Sequence, residues 1–270
     1  MFTLSGFGDE ISADLDEQLD TLKGLGVNYL EVRGAWGKSV LDFDDRELAR
    51  LKQALASRQM RVSSIGSPIG KVPIDSPFAP HLEDFRHILG MAEYLESKYV
   101  RIFSFYGTTE EPERWRSEVL RRLEAFVRAA EASPVIVLHE NESNIYGDIP
   151  QRCADILRSV GSPRFLAVWD AANFVQVGVD RPFDIGWPLL ADYVVYVHVK
   201  DALRGTGEVV PAGEGDGQVR ELLAALAPRQ EEVFLSLEPH LVFAGQWAGF
   251  SGAELFGRAH AALTHLLAEV

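Results

Sequence analysis

A chain of 270 residues, 47% hydrophobic and 24% charged, carries enough apolar material for one sizeable core, which excludes an intrinsically disordered protein. Its formal charge of -14 disfavours polyanionic partners: nucleic acid would need a local basic stripe, and no stretch of the sequence supplies one. The single cysteine, Cys153, excludes an internal disulfide and a multi-cysteine zinc site, in keeping with a reducing cytoplasm.

The N-terminal stretch MFTLSGFGDEIS has no basic region followed by a long apolar run, and no apolar run approaches the ~18 residues of a membrane helix. Neither a signal nor a membrane span is expected. No Pro/Gly/Ser-rich linker divides the chain, so residues 1–270 read as a single domain.

Eight short β-rich runs fall at 2–7, 29–33, 61–65, 99–105, 135–139, 165–169, 194–199 and 233–237. They alternate with segments of helical apolar spacing at 15–25, 48–55, 82–95, 115–130, 149–160, 182–190, 219–226 and 253–267. Strict alternation requires parallel strands with right-handed crossovers, and eight units at this length close most naturally into a (β/α)8 TIM barrel, an α/β fold. The competing open doubly wound sheet would carry a glycine-rich first turn, yet SGFGDE after the first run lacks the GxGxxG dinucleotide fingerprint.

In a barrel the working groups gather where strands end. The second run places Glu31 and Arg33 on one side by alternation; a buried ion pair between them is the default and contact with substrate hydroxyls the alternative. The fifth run, VIVLHEN, delivers Glu140, with His139 facing the helices and Glu142 as a rival should the register shift. The sixth, FLAVWD, delivers Asp170; the seventh, VVYVHVKD, His198; the eighth, VFLSLEP, Glu238. Taken singly, Asp170 reads as a helix cap, His198 as a satisfied core histidine and Glu238 before Pro239 as a turn residue. Taken together, at separations of 30, 28 and 40 residues, they recur once per βα unit, and adjacent strands stand about 4.8 Å apart, so all four can meet at one point. Three carboxylates meeting without a cation would repel one another, so one shared divalent metal explains the set more simply than four coincidences. Three oxygen donors and one imidazole suit Mn²⁺ or Mg²⁺, with Co²⁺ or Zn²⁺ as alternatives, and leave two positions of an octahedral ion for a vicinal hydroxy-carbonyl compound.

In LHEN, WDAANF, HVKD and LEP, and over essentially its whole length, the sequence resembles the sugar phosphate isomerase/epimerase family of the xylose isomerase-like TIM-barrel superfamily, which includes D-tagatose 3-epimerase-like enzymes, inosose dehydratases and hydroxypyruvate isomerases. The resemblance implies Glu140, Asp170, His198 and Glu238 as metal ligands, with Glu140 and Glu238 also the acid/base pair on opposite faces of a small sugar, ketose or polyol. It further implies a substrate contact by Arg204, six residues past His198. An enediolate intermediate then serves epimerisation, isomerisation or, as the lyase alternative, dehydration.

Other residues carry weaker expectations. Lys200 shares a side with Tyr196 and His198 and either enters the site or pairs with Asp201 at the rim. Asn173 stands three residues after Asp170, where the superfamily's three-zinc DNA-repair endonucleases carry a histidine; its amide favours one metal and a small polyhydroxy substrate over DNA. The glycine-rich stretch 213–217 offers backbone amides to a phosphate, though its acidic residues favour a lid or turn, and no strong basic phosphate pocket is visible. Trp36, Phe7 and Trp247 are candidate apolar walls. A non-catalytic carbohydrate-binding barrel is the remote alternative, and monomer or homo-oligomer stays open.

Overall fold

The computed structural model describes residues 1–241 and 251–270. Eight strands, β1 (Phe2–Phe7), β2 (Tyr29–Val32), β3 (Arg61–Gly66), β4 (Tyr99–Ile102), β5 (Ile136–Glu140), β6 (Phe165–Asp170), β7 (Val194–Val199) and β8 (Val233–Leu237), pair in parallel and in sequence order, and β8 returns to β1 to close the barrel. Helices α1 (Leu15–Gly24), α2 (Asp45–Ser57), α3 (Phe78–Tyr94), α4 (Pro112–Ala129), α5 (Pro150–Val160), α7 (Pro182–Leu190), α8 (Val219–Leu226) and α9 (Gly252–Leu267) fill the crossovers. The expected (β/α)8 barrel is therefore the fold. Among the described residues no helix is long and apolar enough to cross a membrane.

Local chemistry sets the helix ends. Asp44 and Glu47 form a reciprocal capping box on α2, each side chain accepting from the other's backbone amide, and Leu48, Leu51 and Leu55 are the face it buries. Burying one such leucine contributes roughly 2 kcal/mol. Pro112 and Pro150 open α4 and α5 where no intrahelical donor is needed, and Gly161, at φ 59°, ends α5 in the left-handed region.

Short elements lie outside the sequence expectation, among them single 3-10 turns at Gly8–Glu10 and Val40–Asp42. Asp170 is followed at once by a short helix, α6 (Ala171–Gln176). Two-residue hairpins pair Gly34–Ala35 with Lys38–Ser39 and Asp201–Ala202 with Val209–Val210. The fourth run, expected over 99–105, stays in the sheet only to Ile102, after which Phe103 and Phe105 donate to Ile69 and Gly70 carbonyls in the loop after β3.

Inside the barrel Tyr99, Leu138, Val168, Tyr196 and Phe234 pack as one apolar layer. Because side chains alternate, the residues two positions further along these strands form the next layer towards the C-terminal rim. Those residues include Arg101, Glu140, Asp170 and His198, so the apolar layer is the floor of a polar chamber.

Candidate metal centre

β6 and β7 pair so that Asp170 stands directly beside His198, and Glu238 leaves β8 with its amide bonded to the Val199 carbonyl. Asn141 extends the β5–β6 ladder with its side chain, accepting from the Asp170 amide and donating to the Asp170 carbonyl at 2.9 and 2.8 Å. Glu140, Asp170, His198 and Glu238 each bring one ligand atom to within 4.8 Å of the others, and all four are buried. Glu142 is not among them: it pairs with Lys71 at 2.9 Å and accepts from the Ser143 amide, so the register favouring Glu140 holds.

The cluster's charges are balanced by neighbours. Arg101 donates to Glu140 at 2.6 Å, Arg33 to Glu238 at 2.8 Å, and Lys200 stands 2.9 Å from Asp170 Oδ2 and 3.2 Å from Glu238. Burial opposes ionisation of Glu140, but His198 and Arg101 hold it below the usual carboxylate range. Burial likewise opposes Glu238, and Lys200, His240, His198 and Arg33 bring it well below. Burial dominates at Asp170 and lifts it to about 6 despite Lys200. At His198 burial disfavours the cation, yet Glu140 and Glu31 outweigh it and raise the imidazole to about 10.

Asp170 caps a helix with one oxygen and turns the other towards the cluster. Its Oδ1 caps α6 by accepting from the Asn173 amide at 2.9 Å, while Oδ2 accepts no hydrogen bond among the described residues. Asn173 in turn braces the cluster, its amide group donating to the Asn141 carbonyl and approaching Glu140 at 3.4 Å.

Glu31 corrects its expectation. It does not pair with Arg33; its carboxylate takes His198 Nε2 at 3.2 Å and the Tyr196 hydroxyl at 2.8 Å, behind the imidazole. That leaves Nδ1, 2.8 Å from Glu140 and 3.5 Å from Glu238, as the nitrogen facing the cluster. From Tyr196 the network continues to Ser63 and Ser5. Arg33 instead joins Asp9, Glu10 and Glu238.

Lys200 enters the site rather than pairing with Asp201, whose carboxylate accepts from the amides of Gly213, Gly215 and Gly217. The glycine-rich stretch is thus a nest for an internal anion. Arg204 stands apart from the cluster: it is exposed and paired with Asp180 and Asp216. The short hairpin after β7 carries it outward, which the resemblance alone did not convey. Phe7, fully buried, packs edge-on against the His198 ring at 5.0 Å. Trp36 packs on Phe43 and Arg50, and Trp247 lies outside the described residues. His139 faces the helices as expected, bonded to Ser104, with burial lowering it to about 4.

A cavity of 260 Å³ opens beside the cluster, with Arg33, Lys71, Arg101, Glu140, Glu142 and Glu238 in its wall. A larger one of 570 Å³ lies at the barrel's other end, around Tyr29, Arg61 and Phe234, away from the carboxylates. Sequence reasoning missed Arg101, Lys71 and His240. Arg101 had a usable signal, since it stands two residues after Tyr99 on the inward side; Lys71 and His240 are loop residues with none.

The donor set fits a divalent cation. It offers hard oxygens and one imidazole, convergent and buried, with one carboxylate oxygen unclaimed by any hydrogen bond among the described residues. Comparison with known proteins agrees on the fold. A family model described as xylose isomerase-like TIM barrel matches residues 19–259. A D-tagatose 3-epimerase-like protein superposes with a TM-score of 0.77 at 14% identity, covering 99% of this chain and 98% of its own. The probable 3-DHS dehydratase AsbF of Bacillus anthracis gives 0.75 at 16%, over 97% and 98%. The IOLI protein, solved with a zinc atom, gives 0.74 at 15%, over 99% and 98%. None of the curated proteins matches in sequence.

Proposed function

The chain belongs to the xylose isomerase-like TIM-barrel family, and we propose that it is a divalent-metal-dependent isomerase or epimerase of a small hydroxy-carbonyl compound. The observation that carries this reading is the convergence of four buried ligand atoms within 4.8 Å beside an open cavity. Glu140, Asp170, His198 and Glu238 would hold the ion, and the oxygen-rich set favours Mn²⁺. A bound dication would draw electron density from a carbonyl and its neighbouring hydroxyl, lowering the cost of removing the proton from the carbon that bears the hydroxyl.

The chain's own residues supply the proton chemistry. Glu140 and Glu238 are both held as carboxylates, the form a base needs, although the cations that hold them so also weaken them as bases until substrate or ion draws those contacts away. Arg101 on β4 and Arg33 just after β2 hold them in place at the wall of one cavity. Elimination of a hydroxyl would need an acid for the leaving group. Lys200, an ammonium beside Asp170 and Glu238, is placed to serve as that acid, so dehydration is the second reading of the same site.

The test is solvent-deuterium incorporation into a panel of ketoses and inososes by Mn²⁺-loaded protein, followed by NMR. Exchange that stops with chelator is expected; no exchange anywhere in the panel, together with no Mn²⁺ uptake, would sink the reading. Metal binding also has a pH signature. To ligate through Nδ1, His198 must lose a proton that it holds up to about pH 10 in the metal-free protein. Mn²⁺ uptake at pH 7 to 8 is therefore expected to release about one proton and to tighten about tenfold per pH unit. Calorimetry in buffers of different ionisation enthalpy measures this directly.

A further inference from the structure

Arg101 is 4% exposed, and only part of its guanidinium is used by Glu140: its Nε has no hydrogen-bond partner among the described residues. Its Nη2 points to the bare backbone of Gly66, where a Cβ would lie 3.0 Å away. A buried guanidinium with idle donors is costly unless something else accepts from them. Lys71 lines the same cavity, and its Nζ and the Arg101 Cζ lie 4.2 and 4.4 Å from the centroid of the Phe103 ring. The loop carrying Lys71 is pinned: the Gly70 amide donates to His81 Nε2 at 2.8 Å, and Phe103 and Phe105 bond to Ile69 and Gly70.

At the cavity wall Glu140 holds Arg101 and Glu142 holds Lys71, while Arg33 is shared among Asp9, Glu10 and Glu238. A dication drawing on Glu140 would leave the Arg101 and Lys71 side of that wall with two cations against the single anion of Glu142. We propose that the substrate carries a carboxylate, as in a sugar acid or polyhydroxy keto acid, and that this group docks on the Arg101 and Lys71 side of the cavity. The inference rests on the metal-site reading and narrows its substrate class. A planar carboxylate matches the guanidinium fork. Phosphate is disfavoured because barrels seat it on loop amides after the last two strands, and here the amides of Gly213, Gly215 and Gly217 already serve Asp201.

Calorimetric titration of the Mn²⁺-loaded full chain with D-gluconate, D-sorbitol and D-sorbitol 6-phosphate, one carbon chain with three end groups, tests this. D-gluconate is expected to bind at least tenfold more tightly than either of the others, and Lys71→Met to remove about tenfold of that preference while Mn²⁺ still binds. Equal affinity for D-gluconate and D-sorbitol overturns the proposal, as does a preference for the phosphate. A preference for D-gluconate that survives both Lys71→Met and Arg101→Met overturns it too, because the carboxylate is then held by the ion alone. Failure of Mn²⁺ uptake counts against the metal-site reading instead, and the same titration of metal-free protein still reports whether the cationic wall selects carboxylates.

Discussion

Glu140→Gln and Glu238→Gln should each lower substrate interconversion by about 10³-fold, within the range that a positioned general acid or base contributes. Both glutamates are ionised, buried and fixed by arginines, so an amide of the same shape keeps the packing and one donor oxygen but cannot accept a proton. Metal content measured beside the rate separates the two roles: a variant that still holds Mn²⁺ and is slow has lost proton transfer, not the ion. A substrate that enters through the remaining base should still exchange its proton with solvent in one variant and not the other. Interconversion at the wild-type rate in either variant would remove that glutamate from the chemistry.

Lys200→Met should destabilise the metal-free protein by about 3 kcal/mol, because removing one partner of a buried ion pair strands the other charge. Here Asp170 would be stranded, because the ammonium, only 5% exposed, lies between it and Glu238, and Glu238 alone keeps Arg33. For a chain of this size that loss corresponds to a melting temperature lower by about 6 °C. Saturating Mn²⁺ should restore most of it, since the ion replaces the missing positive charge. The sign at Asp170 adds a pH dependence. Its folded-state pKa lies above its unfolded value, so its contribution is present below about pH 4 and lost as pH rises through about 6. The metal-free variant should therefore fare worst at neutral and alkaline pH. Thermal melts at pH 5 and pH 8, with and without Mn²⁺, measure both effects. Equal losses with and without the ion would mean that Lys200 acts through packing alone.

The parts of the site that alternation governs could be read from the chain. VIVLHEN, FLAVWD, VVYVHVKD and VFLSLEP each place one polar group at the end of an apolar run, and the barrel brings these ends together. What the sequence could not convey were partners chosen by the closed barrel. Glu31 and Arg33 share a side of one strand, yet neither pairs with the other: Glu31 takes Tyr196 and His198, 165 and 167 residues away, and Arg33 takes Asp9, Glu10 and Glu238, the last 205 residues away. Arg101 was legible by alternation, two residues after Tyr99, but sits within its run rather than at the end where polar groups were sought. Arg204 was misplaced because a two-residue hairpin, too short to leave a periodic trace, turns its loop outward.

Asp170 divides its two oxygens between a backbone and a cavity, one holding the Asn173 amide and the other turned towards Lys200 and the ligand set. The first turn of α6 is consequently tethered to whatever the second oxygen binds. An ion that immobilises the carboxylate must also slow the opening of that turn, so the Asn173 amide proton becomes a built-in gauge of occupancy, exchanging with solvent more slowly as the centre fills. Asp170→Asn separates the two tasks, because a carbonyl oxygen can keep the tether while the amide nitrogen, facing an ammonium, cannot serve as a ligand.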